Sequence, residues 1–163
     1  MQDMLLQDPY SCTPIFRMII NVEGLVSPIG PAGDAVYVPM RISGGRIIGV
    51  DLEKRVIGGS DFATMHADEA FEHDGRLVVG DPAGDILIRY SGVSKAAEGA
   101  YDELLDGTLL RETPCRLNVQ IWSTSPQWRP LNRKPLLGVG TFEGGSGTLD
   151  VVVLSVIGRD PRN

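Results

Sequence analysis

Three charged residues recur at alternate positions of one short segment, Glu72, Asp74 and Arg76. Successive side chains of a β-strand point to opposite faces, so these three share one face while Phe71, His73, Leu77 and Val79 take the other. Facing a cavity, Asp74 and Arg76 could orient a carbonyl, enol or carboxylate. Glu72 would add a second carboxylate for proton transfer, its pKa raised by burial. Two carboxylates in different environments are the usual acid/base arrangement. Facing water, the same residues are a solvated strand surface or a structural salt bridge, and the pattern alone leaves both orientations open.

Further candidates are spread along the chain. Asp61 follows Gly58-Gly59, which let the chain approach closely, and is expected at a strand start, as a catalytic carboxylate or a turn cap. Tyr37, Pro39 and Arg41 have the same parity and so could share a substrate-binding face, with Pro39 marking an edge or bulge. Trp122 and Trp128 could wall an apolar or aromatic ligand, although core packing is the commoner role of a strand Trp such as Trp122. Asn132 fixes the turn into the strand that starts at Lys134, or faces the cavity. His66 and His73, with Asp68, Glu69, Glu72 and Asp74 nearby, invite a metal reading. His66-Ala67-Asp68 is a poor ligand pair, however, and alternation turns His73 away from Glu72 and Asp74, so no metal site is expected. No Walker-type phosphate loop, nucleophile elbow or Ser-His-Asp arrangement is legible, and no cofactor is implied.

The elements that must position these residues are strands. Twenty glycines and eleven prolines punctuate short β-branched runs, the mark of an all-β chain. The expected strands are Ile15–Val22, Val36–Ile42, Arg46–Leu52, Lys54–Ile57, Ala70–Val79, Ile86–Gly92, Arg116–Thr124, Lys134–Thr141 and Thr148–Ile157. They suit a single antiparallel up-and-down β-barrel with a ligand cavity. Turns are expected at Gly44-Gly45, Gly58-Gly59, Pro82-Ala83-Gly84 and Gly144-Gly145-Ser146-Gly147. Ser94–Asp106 is the one stretch with helical character, which Ser94 could cap and Gly107 could end, and it reads as a short helix or as a lid over one barrel mouth.

At 163 residues the chain fits one domain with a core from about residue 12 to 158. A net charge of −6 without a basic cluster argues against nucleic acid and for a small-molecule ligand. Cys12 and Cys115 lack metal or redox spacing and read as free thiols. Asp3, Asp8, Pro9 and Pro14 interrupt Met1–Ile20 where a signal peptide would be apolar, and no run is long enough for a spanning helix. The expected compartment is the cytoplasm, with no membrane partner.

Ser43-Gly44-Gly45-Arg46-Ile47-Ile48-Gly49 and Val56-Ile57-Gly58-Gly59-Ser60-Asp61-Phe62 resemble the Gly-Gly-x-x-x-Gly and Gly-Gly-x-Asp-Trp signatures of a bacterial and fungal family, domain of unknown function 3237. Asp74-Gly75-Arg76-Leu77 resembles its Asp-x-Arg-Tyr strand. Trp122–Trp128 and Leu131-Asn132-Arg133 resemble its C-terminal signatures. The matches fall in order over Ile15 to Ile157. The resemblance implies a closed, calycin-like barrel, often dimeric, with a polar and aromatic interior, and it implies that the Asp74 and Arg76 face points inward. The chain departs from the pattern at Phe62, Leu77, Ser123 and Pro130, where the family has Trp, Tyr, Arg and Trp. Phe62, in the place of the signature Trp, joins the ligand-contacting candidates.

Three functions compete. The first is a cofactor-independent enzyme that isomerises, dehydrates or cyclises a small, largely apolar or polyketide-like metabolite, with Glu72, Asp74, Arg76 and Asp61 steering charge. The second is a carrier or sensor of a hydrophobic metabolite, for which Glu72, Asp74 and Arg76 would lie outside. The third is a structural or oligomer-forming module with a filled core. The number of charges favours the enzyme.

Overall fold

The computed structural model describes residues 10–25, 28–108 and 111–158. Alternation of apolar and polar residues produces nine strands: β1 (Tyr10–Leu25), β2 (Ile29–Ala32), β3 (Ala35–Gly49), β4 (Leu52–His66), β5 (Ala70–Val79), β6 (Ile86–Lys95), β7 (Thr113–Ser123), β8 (Leu136–Glu143) and β9 (Thr148–Gly158). One short helix, α1 (Ala100–Leu105), lies between β6 and β7. From β2 to β9 each strand pairs with its successor, β9 pairs with β1, and β1 pairs with β3. Eight strands therefore close into an antiparallel barrel, which leaves no long edge exposed. The short β2 continues along the β3 edge where β1 leaves off, with Ile29 opposite Tyr37 and Ala32 opposite Ala35.

The inner face is a set of apolar files. On β7 the buried residues are Thr113, Cys115, Leu117, Val119, Ile121 and Ser123, and every residue between them is exposed. Trp128 plugs one end of the barrel, its ring centroid 5.4 Å from that of Phe16. At the other end Ala96, Ala100 and Leu104 bury themselves in the core. There the Glu69 carboxylate accepts the Gly99 and Tyr101 N–H groups, both at 2.9 Å, and ties α1 to the β4–β5 turn.

The strands are longer than the glycine punctuation predicts. Gly44-Gly45 does not turn the chain; both residues pair with β1 inside β3, and the true β3–β4 turn lies at Val50-Asp51, where Asp51 has φ 52°. Gly58-Gly59 is likewise inside β4. A Cβ on Gly59 would lie 2.1 Å from the Arg76 carbonyl oxygen, so the glycine permits a close strand approach at a bend instead of a reversal. The turns at Pro82–Gly84 and Gly144–Gly147 form as expected. Ser94 does not cap the helix: it is buried near the end of β6, and Gly99 is the N-cap. The signal-peptide reading of Met1–Ile20 lies partly outside the described residues. Among the described residues, no helix is long and apolar enough to cross a membrane.

Candidate functional site

Merging Lys54–Ile57 into the long β4 moves Asp61 from an expected strand start to mid-strand. It faces inward there and is 1% exposed. On the neighbouring strands His73 of β5 and Tyr90 of β6 also point inward, as does Cys115 of β7. The four form one hydrogen-bonded chain. The Tyr90 hydroxyl donates to Asp61 Oδ2 at 2.9 Å, and His73 Nδ1 lies 3.2 Å from the same oxygen. The Asp74 backbone N–H donates to Asp61 Oδ1 at 3.1 Å. The far side of the imidazole, Nε2, lies 3.5 Å from Cys115 Sγ. His73 thus occupies the space between carboxylate and sulfur, one ring nitrogen toward each. That geometry keeps Asp61, His73 and Cys115 from converging on a common metal ion.

Local sequence explains the fit. Tyr90 lies opposite Gly75 in the β5–β6 register, and a Cβ on Gly75 would sit 2.0 Å from the Tyr90 ring. The missing side chain is the space in which the ring lies, and this sets the hydroxyl on Asp61. Phe71 packs edge-on against the imidazole with centroids 4.6 Å apart, and Phe142 lies 6.3 Å away.

Burial acts first on His73 and disfavours its charge. The hydrogen bond to Asp61, the contact with Cys115 and the charges of both outweigh it, and the pKa rises from 6.5 to about 9. The imidazole is therefore protonated at neutral pH, and its Nδ1–H donates to Asp61. Burial, followed by the Asp61 charge, pushes the Tyr90 hydroxyl well above its ordinary value and keeps it a donor.

The structure corrects the expected site. The Glu72, Asp74 and Arg76 face of β5 points outward: Glu72 and Arg76 are exposed and Asp74 is half-buried. Glu72 lies 3.3 Å from His66 Nε2, and Asp74 is flanked by Arg89 and Arg76 at 3.3 and 3.8 Å. The inward face holds Phe71, His73, Gly75, Leu77 and Val79 because the apolar set is the one that gains by burial. Tyr37 and Arg41 do share a face with Pro39, but it is the outer one, and Arg41 is paired only loosely with Glu23 at 3.8 Å. Phe62, next to the buried Asp61, points outward and is 62% exposed. Trp122 is also on the outer face, beside a cleft of about 410 Å³ that includes Arg133 and Lys134. Trp128 is buried and, with the half-buried Leu131, Ile15 and Leu52, lines a mouth cleft of about 210 Å³. Asn132 clamps the β7 terminus, accepting the Ser123 N–H at 3.0 Å and donating to the Ser123 carbonyl at 2.9 Å. Of the expected site residues, only Asp61 belongs to the interior cluster. The signal for the other members was a polar residue within an inward apolar file: His73 after Phe71, Tyr90 after Ile88, and Cys115 before Leu117.

Residues 10–157 match the family model described as Protein of unknown function (DUF3237). No curated protein matches the chain. Among solved structures, a conserved protein of unknown function from Rhodopseudomonas palustris superimposes with a TM-score of 0.76 at 15% identity, covering 93% of this chain and 100% of its own. A β-barrel-like protein from Acinetobacter baumannii gives 0.72 at 18% identity, with 93% and 98% coverage. A protein from Penicillium herquei named as an enzyme gives 0.67 at 16% identity, with 93% and 97% coverage. At these identities the likeness is one of fold.

Proposed function

The chain belongs to the DUF3237 family, and from that premise we propose that it is a cofactor-independent enzyme that moves protons on a small, largely apolar metabolite inside the barrel. One observation carries the reading: four ionisable groups, Asp61, His73, Tyr90 and Cys115, are hydrogen-bonded to one another in a mostly apolar interior. Buried charge is expensive and a packed apolar core would hold the barrel as well, so the cluster calls for a use beyond stability. In this reading Asp61 accepts a proton from the substrate, and the His73 imidazolium returns one at another atom. Tyr90 donates to the oxygen on which charge develops. The outcome is an isomerisation, or a dehydration or cyclisation where a group leaves or adds. The Penicillium herquei neighbour being named an enzyme agrees with a catalytic role of unspecified kind.

The experiment is solvent-deuterium incorporation into a panel of small apolar ketones and enones, read by mass spectrometry. The wild type is expected to label at least one panel member, with a loss of about 100-fold or more in Asp61→Asn. Equal labelling by Asp61→Asn would overturn the reading.

A carrier or sensor of a hydrophobic metabolite is the second reading. The outward placement of Glu72 and Arg76 and the apolar inner files favour it. In that case the panel shows no exchange and Asp61→Asn alters only ligand affinity. Two free thiols support a cytoplasmic place of action, and the outward Leu137, Val139 and Val152 support a homodimer.

A further inference from the structure

Cys115 is the one member of the cluster that proton transfer leaves unused. Its sulfur faces the far nitrogen of an imidazole whose near nitrogen is held by a carboxylate, with separations of 3.5 and 3.2 Å. This is the order of sulfur, imidazole and orienting carboxylate found where a cysteine is made reactive, the imidazolium favouring the thiolate as its ion-pair partner. The titratable groups nearest the sulfur are His73 on β5 and Tyr90 on β6, with Asp61 of β4 beyond the imidazole, while β8 presents Gly140 and Phe142. The other sulfur contact is the Thr113 carbonyl at 3.4 Å.

We propose that Cys115 is a nucleophile, activated by His73 and positioned through Asp61, that adds reversibly to α,β-unsaturated carbonyl compounds. The proposal rests on the reading of the interior cluster as a reaction centre and names the substrate class for it. The electrophile follows from the surroundings. Acyl transfer needs water to release the acyl group from sulfur, and the walls here are mostly apolar. Conjugate addition consumes no water, and its enolate oxygen needs only a donor such as Tyr90 or His73.

A sulfur electron pair forms the bond to the β-carbon, and the carbon–carbon π pair moves toward the carbonyl to give an enolate. The Tyr90 hydroxyl or the His73 imidazolium donates a hydrogen bond, or the proton, to its oxygen. The former double bond is now single and rotates. Collapse of the enolate re-forms the double bond and expels the thiolate, and any proton lent to the oxygen returns to its donor. The net change is a geometric isomerisation with no oxidant, reductant or water consumed.

The test uses acrylamide, a small uncharged conjugated amide, with peptide mass spectrometry at Cys115 and at the exposed Cys12 of the same chain. The expected result is a Cys115 adduct whose rate of formation at neutral pH falls about tenfold or more in His73→Asn. Should that variant not fold, Asp61→Asn gives the same reading, because it removes the carboxylate that orients the imidazole. Cys115 left unmodified while Cys12 reacts, or labelled equally fast without His73, overturns the proposal. Deuterium exchange that persists in Cys115→Ser while no His73-dependent adduct forms would remove the nucleophile and leave the acid/base reading standing. A His73-dependent adduct alongside unchanged exchange in Asp61→Asn would do the reverse.

Discussion

Strand β5 carries ionisable residues on both faces, and the two faces have opposite consequences. Outside, Asp74 lies between Arg76 and Arg89, all three more than a third exposed, and the pairs are separated by 3.3–3.8 Å. Inside, one residue away, His73 is tied to Asp61 and Cys115 with almost no exposure. Water and salt screen the outer charges, and holding long side chains in place offsets most of what their attraction contributes. The inner charges are screened by little besides each other. The same kinds of residue are therefore nearly neutral on one face and decisive on the other.

The sharpest way to break this contrast is to remove one partner from each face. Asp61→Ala strands the His73 charge and the Tyr90 hydroxyl in the core and is expected to destabilise the protein by about 3–5 kcal/mol in urea unfolding. Asp74→Ala and Arg76→Ala are expected to stay within about 1 kcal/mol, and to shrink further in added salt. Equal costs on the two faces would erase the distinction.

A pH series sharpens it further. The folded state holds the His73 proton more tightly than the unfolded chain does, with a pKa of about 9 against 6.5. Its contribution is complete below about pH 6.5 and is lost as pH rises through about 9. At about 1.4 kcal/mol per unit this is roughly 3 kcal/mol, which denaturation at several pH values will show and which Asp61→Asn should flatten. A smaller effect is expected from Gly75→Ala. The added methyl meets the Tyr90 ring, so a loss of about 1–3 kcal/mol is expected, with the ring displaced from Asp61 in a crystal structure of the variant.

The barrel was legible because alternation and turn residues are local. Ala70–Val79 was read with its observed bounds, and the turns after β5 and β8 fell where Pro82–Gly84 and Gly144–Gly147 put them. Gly44-Gly45 and Gly58-Gly59 misled because a glycine pair serves a reversal and a close strand approach equally well. Only the neighbouring strand decides which, and that information is not local. The same ambiguity puts Asp61 at an expected strand start instead of inside β4. Parity puts His73 on the face opposite Glu72 and Asp74, but parity alone does not say which face is the inner one. The cluster joins residues 61, 73, 90 and 115 across four strands, and its register is set by barrel closure, which no single segment encodes. Trp122 shows the reverse case, a large apolar side chain that parity assigns to the outer face of β7.

The interior cluster depends above all on the charge state of His73. The chain has only two histidines, so an imidazole NMR titration resolves both rings, and His66→Gln identifies the buried one. His73 is expected to stay protonated through neutral pH and to titrate at about 9. A His73 ring that is neutral at pH 7 would contradict it.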